Sequence, residues 1–358
     1  MTSLKIIKLD TAASASSPLS VLVIYTGGTF GMVYDRRLET LVPFNFEQIL
    51  ERIPELARLR FSISVLVLDE LLDSSNMVPN NWLEISRIIG EHYEQYDSFV
   101  IVHGTDTMAY TASALSFLFE NLNKPVILTG AQLPIGAART DAVENFITAL
   151  EIAAARDEQQ RPMVPEVAIY FHSYLLRGNR ARKQESSQFN AFQSENYPYL
   201  AEAGVTIDYN RPYIRAYDST KPFAVHETLD ANVVILKLFP GISPSVMHSI
   251  FSIEGLKGVV LETYGAGNAP TAPWFLETLE KATDRGLILL NVSQCTGGRV
   301  LQGRYQTSKY LNEMGLVSGA DLTSEAAVTK LMFLLGQYGD DSAMIRQKLT
   351  ESLRGELS

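Results

Sequence analysis

The feature that most constrains the fold of this chain is a repeated alternation of short apolar runs with longer amphipathic segments. The runs are rich in β-branched residues and cover 21–25, 63–68, 99–102, 125–128 and 167–171. Between most of them, apolar residues recur at helical spacing over 82–92, 108–122 and 142–155. Strands that alternate with helices predict an α/β fold, in which helices cover both faces of a largely parallel sheet.

The alternation divides the chain into two predicted domains. It loosens over 196–231, which is rich in Tyr, Pro and Asn, and we interpret this stretch as a connection with an irregular hairpin. It resumes with strands at 233–238, 258–261 and 287–292 and helices at 272–283 and 323–335. We predict an N-terminal extension (1–19), a larger N-terminal domain on a mainly parallel, doubly wound sheet (20–205), a linker (206–231) and a smaller C-terminal α/β domain (232–358).

Composition excludes several classes of protein. The net charge is −10, and no basic patch is interleaved with aromatic residues, so we expect no nucleic-acid partner. No apolar run approaches the ~20 residues that span a bilayer, so we expect no membrane association. Residues 1–20 contain no apolar run of signal-peptide length, and the single cysteine, Cys295, is expected to be a small buried residue. A reducing cytoplasm fits these features.

Four polar clusters lie at or after the ends of predicted strands. They are TGGT at 26–29, DSSNM at 73–77, HGTDT at 103–107 and RGNRARK at 177–183, the last placed after the strand at 167–171. In a doubly wound sheet such loops converge on one crevice, where ligands bind. We therefore expect these four clusters to build one site in the N-terminal domain.

The residue types in these clusters suggest hydroxyl chemistry. A threonine hydroxyl is a weak nucleophile that needs a neighbouring base, and a lysine that loses its charge through burial can supply one. Asp106 could orient that lysine and also bind a substrate ammonium group. Backbone N–H groups around Gly28 or Gly130–Ala131 could hold an oxyanion.

Each cluster also has an ordinary structural interpretation. TGGT alone is usually a turn, HGTDT could cap a helix, Ser74 and Ser75 could lie in a solvated loop, and Lys183 lies in a basic run typical of a surface. Four such clusters at successive strand ends are hard to explain as independent accidents. The chain contains no P-loop and no GxSxG nucleophile elbow. Its histidines show no paired ligand spacing, so we expect no metal site.

Longer motifs around these clusters resemble the bacterial-type L-asparaginases over roughly residues 20–355. They are TGGTFGM at 26–32, VHGTDTMAYTASALSF at 102–117, KPVILTGAQLP at 124–134, RGNRARK at 177–183, YGAGNAP at 264–270 and NVSQCTGG at 291–298. The DSS form of the second cluster and the missing signal peptide resemble the cytoplasmic, type I branch.

The resemblance implies an amidohydrolase that converts L-asparagine to L-aspartate and ammonia through a threonyl acyl-enzyme. It also implies two α/β domains, a homodimer or a tetramer of dimers, a cytoplasmic location, and no metal or organic cofactor. In the family, the active site lies in the larger domain and is completed by the small domain of a neighbouring subunit.

The resemblance also assigns roles to residues. It implies Thr29 as the nucleophile and Thr105 as a second catalytic threonine, with Lys183 and Asp106 as its polar relay. The substrate-binding residues that it implies are Asp73, Ser74 and Ser75 for the α-carboxylate and amino group, Thr105 and Asp106 beside them, and Gly130 and Ala131 near the amide carbonyl.

One departure from the family pattern concerns the activation of Thr29. Family members usually place a tyrosine shortly before a proline on the loop after TGGT, but Pro43 here follows Thr40-Leu41-Val42. The nearest tyrosine is Tyr34. Either Tyr34 takes this role from a shifted loop, and we assign it as catalytic on that basis, or Thr29 is activated differently.

Three other functions stay open at this point. The chain could be a glutaminase/asparaginase of mixed specificity, or an amidase for a misacylated tRNA. The tRNA-dependent relatives carry an extra N-terminal domain, and the short stretch before the first strand argues against them. It could also be a non-catalytic asparagine-binding regulator, although such a protein would be free to lose Thr29, Thr105, Asp106 and Lys183.

Overall fold

The chain forms two compact units, Met1–His226 and Glu227–Ser358. The computed structural model describes residues 6–12, 19–35, 37, 39–43, 49–302 and 306–358. The side chains of residues 34, 35, 41–43, 50 and 306–308 lie outside this description.

The first unit contains four α-helices and fifteen β-strands within its described residues. The helices are α1 (Ile49–Arg52), α2 (Pro79–His92), α3 (Met108–Leu118) and α4 (Ala142–Ala154). The strands are β1 (Ile6–Lys8), β2 (Ser20–Gly27), β3 (Met32–Asp35), β4 (Thr40–Pro43), β5 (Ser62–Leu72), β6 (Ser98–Val102), β7 (Phe119–Glu120), β8 (Val126–Thr129), β9 (Val167–Phe171), β10 (Tyr174–Arg177), β11 (Arg182–Lys183), β12 (Phe192–Gln193), β13 (Ala201–Ala203), β14 (Ile207–Tyr209) and β15 (Ala224–Val225).

The main sheet of the first unit has nine strands in the order β1-β5-β2-β6-β8-β9-β10-β13-β14. Its centre, β5-β2-β6-β8-β9, is parallel, whereas β1, β10, β13 and β14 pair antiparallel. Apart from the end of β5, where Asp69 and Glu70 are exposed, the central strands are almost fully buried, as their apolar, β-branched runs predict for a sheet covered on both faces. The predicted mainly parallel α/β architecture is confirmed. The antiparallel hairpin β13–β14 lies within 196–231, where an irregular hairpin was predicted, whereas the antiparallel strands β1 and β10 were not predicted.

The strand register brings the carboxyl ends of four parallel strands to one edge of this sheet. Tyr25 of β2 pairs with Val102 of β6, and Val102 pairs with Thr129 of β8. On the other side of β2, a register shift after Tyr25 places Gly27 opposite Leu72, at the end of β5. The residues that follow these strands therefore begin at the same level of the sheet.

The second unit is built on a parallel sheet. Its strands are β16 (Val233–Lys237), β17 (Gly258–Thr263), β18 (Ile288–Ser293) and β19 (Val317–Ser318), paired in that order. Its helices are α5 (Pro244–Phe251), α6 (Pro273–Asp284), α7 (Gln306–Glu313), α8 (Ser324–Tyr338) and α9 (Ser342–Thr350). The predicted smaller α/β domain is confirmed, although α5, α7 and α9 were not predicted.

Two local predictions were wrong. The helix predicted over 108–122 ends at Leu118, because Phe119 and Glu120 leave it to pair with β15 as strand β7. Cys295 is exposed rather than buried, since β18 ends at Ser293 and the chain continues as a surface loop. Among the described residues, no helix is long and apolar enough to cross a membrane.

Candidate active site

The TGGT turn packs directly on the backbone of the loop after β6. Gly27 and Gly28 have φ values of 120° and 86°, which a residue with a side chain rarely adopts. A Cβ atom on Gly28 would lie 2.5 Å from the Cα atom of Gly104, so only glycine allows this approach. The turn places Thr29, at the start of the short 3-10 helix Thr29–Gly31, beside the HGTDT loop.

The DSS segment after β5 is organised by its own aspartate. The Asp73 carboxylate accepts hydrogen bonds from the backbone N–H and the hydroxyl of Ser75, both at 2.9 Å, and it caps the 3-10 helix Ser74–Asn76. These hydrogen bonds lower the pKa of Asp73 below its ordinary value. Asp73 and Ser75 are exposed and Ser74 is buried. The turn thus presents an ionised carboxylate and a hydroxyl at the sheet edge.

The DSS segment and the HGTDT loop contact each other. A Cβ atom on Gly104 would lie 2.6 Å from the Ser74 Oγ atom, and the Thr107 hydroxyl donates to the Ser74 carbonyl at 2.7 Å. Since Gly104 also contacts Gly28, three of the four predicted clusters meet around this one glycine.

Lys183 joins the site through Thr105 and Asp106. Its ammonium group donates to the Thr105 Oγ1 atom and to the Asp106 Oδ1 atom, each at 2.7 Å. Thr105 is buried, and the Lys183 side chain is 17% exposed, whereas the Asp106 side chain is 65% exposed. Lys183 is held on the short hairpin of β11 and β12, where it pairs with Phe192. The structure therefore brings together three of the residues that the sequence analysis assigned as catalytic.

The fourth cluster reaches the site by a different path from the one expected. Strand β10 runs antiparallel to β9 and carries the chain back to the amino end of that strand, where Arg177 pairs with Ala168. There Arg177 forms a buried ion pair with Glu166 at 2.6 Å. The turn Gly178–Arg180 and strand β11 then return the chain, so that Lys183 enters the site while Arg177 does not.

The loop after β8 is fixed beside the HGTDT loop. A Cβ atom on Gly130 would lie 2.3 Å from the His103 carbonyl oxygen, so Gly130 packs against that backbone. The Asp141 carboxylate accepts from the backbone N–H groups of Gln132 and Leu133, and the Asn145 amide donates to the Gly130 carbonyl at 3.0 Å. Gly130 and Ala131 are buried at the same sheet edge as Thr105.

A directed chain of hydrogen bonds beneath the site was missed by the sequence analysis. The Trp82 indole N–H donates to the Thr111 hydroxyl, which lies 2.9 Å from His103 Nε2, while His103 Nδ1 lies 2.7 Å from the Gly104 carbonyl. Because a carbonyl only accepts, Nδ1 carries the proton and Nε2 accepts from Thr111. Burial lowers the pKa of His103 to about 4, so the ring is neutral. Through its Nδ1–H, which donates to the Gly104 carbonyl oxygen, the ring fixes the orientation of the Gly104–Thr105 peptide.

Gln132 is a second residue that the sequence analysis missed. The Thr105 hydroxyl donates to the Gln132 Oε1 atom at 3.2 Å. Its position directly after Gly130 and Ala131, in the motif that carried the family resemblance, is the signal that could have identified it.

The activation of Thr29 stays a prediction. The backbone of Tyr34 lies in β3, which pairs with β4, but its side chain lies outside the described residues. Within the part of the chain that the structure describes, no three His, Cys, Asp or Glu residues form a group that could hold a metal ion.

Comparison with known proteins shows to which family the chain is related. Residues 20–215 match the family model "Asparaginase, N-terminal", and residues 232–349 match the "Glutaminase/Asparaginase C-terminal domain". The chain belongs to the asparaginase family.

Several known proteins are similar to almost the whole of this chain. The Escherichia coli (strain K12) protein "L-asparaginase 1" is 41% identical over 95% of this chain and 98% of its own length. The human "60 kDa lysophospholipase" is also 41% identical, over 94% of this chain but 61% of its own length. The crystal structure of L-asparaginase I from Vibrio cholerae is 37% identical and superposes with a TM-score of 0.85, covering 95% of this chain and 99% of that one. The predicted family resemblance is confirmed.

Proposed function

We propose that this protein is an amidohydrolase that converts L-asparagine to L-aspartate and ammonia. The observation that carries the proposal is the contact of Lys183 with both Thr105 and Asp106, next to the TGGT turn. A threonine, a lysine and a carboxylate in hydrogen-bond contact form a proton relay for a hydroxyl nucleophile. The similarity to a protein named L-asparaginase 1 identifies the amide of asparagine as the substrate group.

The proposed reaction proceeds through a threonyl ester. The Thr29 Oγ atom attacks the side-chain amide carbon of asparagine and forms a C–O bond, while the Thr29 proton is transferred to the departing nitrogen. The C–N bond then breaks and ammonia leaves. A water molecule attacks the resulting ester, releases aspartate and returns a proton to Thr29. Thr105, Lys183 and Asp106 move protons during these two half-reactions, and Tyr34 is the candidate that activates Thr29.

The remaining site residues hold the substrate. Asp73 and Ser75 present an ionised carboxylate and a hydroxyl for the α-amino and α-carboxylate groups, with Ser74 beneath them and Asp106 nearby. The Gly130–Ala131 segment lies against the HGTDT loop, in the position where a substrate amide carbonyl would be polarised.

The test of the proposal is ammonia release from L-asparagine by the purified protein and by a Thr29→Ala variant. We expect turnover by the unchanged protein and none by the variant. A control substitution, Thr206→Ala on the exposed β13–β14 hairpin, should leave turnover unchanged. Near-normal turnover by the Thr29→Ala variant would contradict the assignment of the nucleophile.

A second candidate is a mixed glutaminase/asparaginase, which the description of the matching C-terminal family model favours. Parallel assays with L-asparagine and L-glutamine distinguish the two. We expect a kcat/KM ratio that favours asparagine. Equal values would assign the mixed activity, and binding without release of ammonia would assign a regulator.

The wider organisation of the protein is also part of the proposal. We assign an extension at 1–19, a catalytic domain at 20–205, a linker at 206–231 and a C-terminal domain at 232–358. The family matches at 20–215 and 232–349 support this division. We further propose a cytoplasmic homo-oligomer, a dimer or a tetramer of dimers, whose mass light scattering would measure.

A further inference from the structure

The side-chain amide of Gln132 has only one orientation that satisfies its neighbours. Its Nε2 atom lies 2.9 Å from the backbone carbonyl oxygen of Gln188, which can only accept a hydrogen bond. The NH₂ group must therefore face Gln188, and the Oε1 atom must face Thr105. The backbone carbonyl of Gln188 therefore decides the orientation of the Gln132 amide.

This orientation determines where the Thr105 proton points. The Gln132 Oε1 atom is an acceptor, so the Thr105 hydroxyl must donate to it at 3.2 Å. The lone pairs of the Thr105 oxygen then face Lys183, whose ammonium donates to the same atom at 2.7 Å. Gln132 and Lys183 together hold the hydroxyl in one rotational state, with its proton on one side and its lone pairs on the other.

Gln132 is itself held from two directions. Its backbone N–H donates to the Asp141 carboxylate, which also fixes Leu133 and Asn145. Its side chain reaches the turn between β11 and β12, the hairpin that carries Lys183. One amide therefore links the loop after β8, the Thr105 hydroxyl and the Lys183 hairpin.

We propose that Gln132 is a positioning residue that orients the Thr105 hydroxyl and keeps the Lys183 hairpin in register with it. This inference rests on the proposed function. It assigns to Gln132 a larger effect on proton transfer than on binding of the α-amino and α-carboxylate groups, since Asp73, Ser74 and Ser75, which hold those groups, belong to a different segment.

The test compares three variants at two glutamines of the same region. Gln132→Met keeps the length of the side chain but removes both hydrogen bonds. Gln184→Met is the matched control, because the Gln184 amide lies at the end of the same hairpin and donates to Glu195 without contacting Thr105. A second variant, Gln132→Glu, keeps the acceptor for Thr105 and loses the donor to Gln188. The measurements are kcat, KM and the solvent deuterium isotope effect on kcat with L-asparagine.

For Gln132→Met we expect kcat to fall about tenfold, the scale of one to two lost hydrogen bonds, with KM unchanged within about twofold. The isotope effect should rise, because a less well-oriented Thr105 oxygen makes proton transfer through the relay with Lys183 more rate-limiting. Gln184→Met should match the unchanged protein in all three quantities. Gln132→Glu should lose less in kcat than Gln132→Met.

Several outcomes would overturn the inference. They are a kcat of Gln132→Met within twofold of the unchanged protein, a KM that rises as much as kcat falls, or failure of both Gln132 variants to fold, which would assign a structural role. Absence of ammonia release by the unchanged protein would overturn the proposed function itself, and this inference with it. An active protein with an unaffected Gln132→Met variant would overturn this inference alone.

Discussion

Two lysine–carboxylate pairs of nearly equal length lie in opposite surroundings, one in each unit. The Lys183–Asp106 pair of the first unit measures 2.7 Å, with side chains that are 17% and 65% exposed. The Lys330–Glu356 pair of the second unit measures 2.6 Å, with no exposed surface on either side chain. Lys330 also donates to the backbone carbonyl of Leu349, in the last turn of α9, and to that of Glu351, directly after this helix. It therefore anchors the C-terminal segment to α8.

The difference indicates that burial, more than distance, distinguishes the structural pair from the pair to which we assign a catalytic role. Burial lowers the pKa of Lys330, while the Glu356 carboxylate opposes this shift. Burial alone would raise the pKa of Glu356, but the Lys330 ammonium and two backbone N–H groups lower it. That pair has every polar atom satisfied and no access for a substrate. The Lys183 pair faces solvent and shares its ammonium with a hydroxyl.

The largest effect on stability is expected from Lys330→Met. The substitution leaves the Glu356 carboxylate buried without its counter-ion, which should lower the free energy of unfolding by about 3–5 kcal/mol. The double variant Lys330→Met/Glu356→Gln should recover much of this loss, because no buried charge remains. Chemical denaturation of both variants measures the difference. A Lys330→Met variant as stable as the unchanged protein would contradict the structural role of the Lys330–Glu356 pair.

Lys183→Met should lower the activity strongly and the stability only slightly. Loss of the relay should lower kcat by about 100-fold or more, the usual scale for removing a group that transfers a proton in the reaction. The stability should change by less than about 1 kcal/mol, since the Asp106 carboxylate is 65% exposed and water screens the pair. Ammonia release and thermal unfolding of the same preparation measure both quantities. A loss of kcat below tenfold would reduce Lys183 to a structural role.

A smaller effect should come from His103, which is buried like Lys330 but lies beneath the site and is neutral. Its pKa is lowered to about 4 in the folded protein, against about 6.5 in an unfolded chain. Between these values only the unfolded chain takes up the proton, so stability falls as the pH falls through this window. At pH 5 the loss should be about 2 kcal/mol relative to neutral pH.

The matched variant for this measurement is His103→Gln, which does not titrate. Its free energy of unfolding should depend less steeply on pH between about 6.5 and 4 than that of the unchanged protein. Equal slopes for the two proteins would show that His103 does not control this dependence.

The alternation of apolar runs and amphipathic segments was enough to predict the centre of each sheet. The buried parallel strands need continuous apolar residues, and this need is visible in a single sequence. Strand β10 was not predicted, because a short antiparallel edge strand carries a weak pattern, and the β13–β14 hairpin was predicted only as an irregular hairpin somewhere within 196–231. The missed β10 led to the wrong path for residues 177–183, although the position of Lys183 in the site was expected.

The convergence of TGGT, DSS and HGTDT followed from a general property of parallel sheets, and the structure brings these loops together. Gln132 and His103 could not be found by the same reasoning. The Gln132 amide bonds to the Gln188 backbone carbonyl, on a different loop, and His103 is connected through the Thr111 hydroxyl to the indole of Trp82, on a different helix. Such contacts depend on three-dimensional packing and leave no periodicity in the chain.

The most direct test of the account is mass spectrometry of the protein quenched during turnover of L-asparagine. The account predicts a transient mass increase equal to aspartic acid less one water, located on the peptide that contains Thr29 and absent from the Thr29→Ala variant. An adduct on Thr105 would contradict the assignment of the nucleophile. Continued turnover by the Thr29→Ala variant, or no adduct on any threonine at any quench time, would contradict the threonyl ester itself.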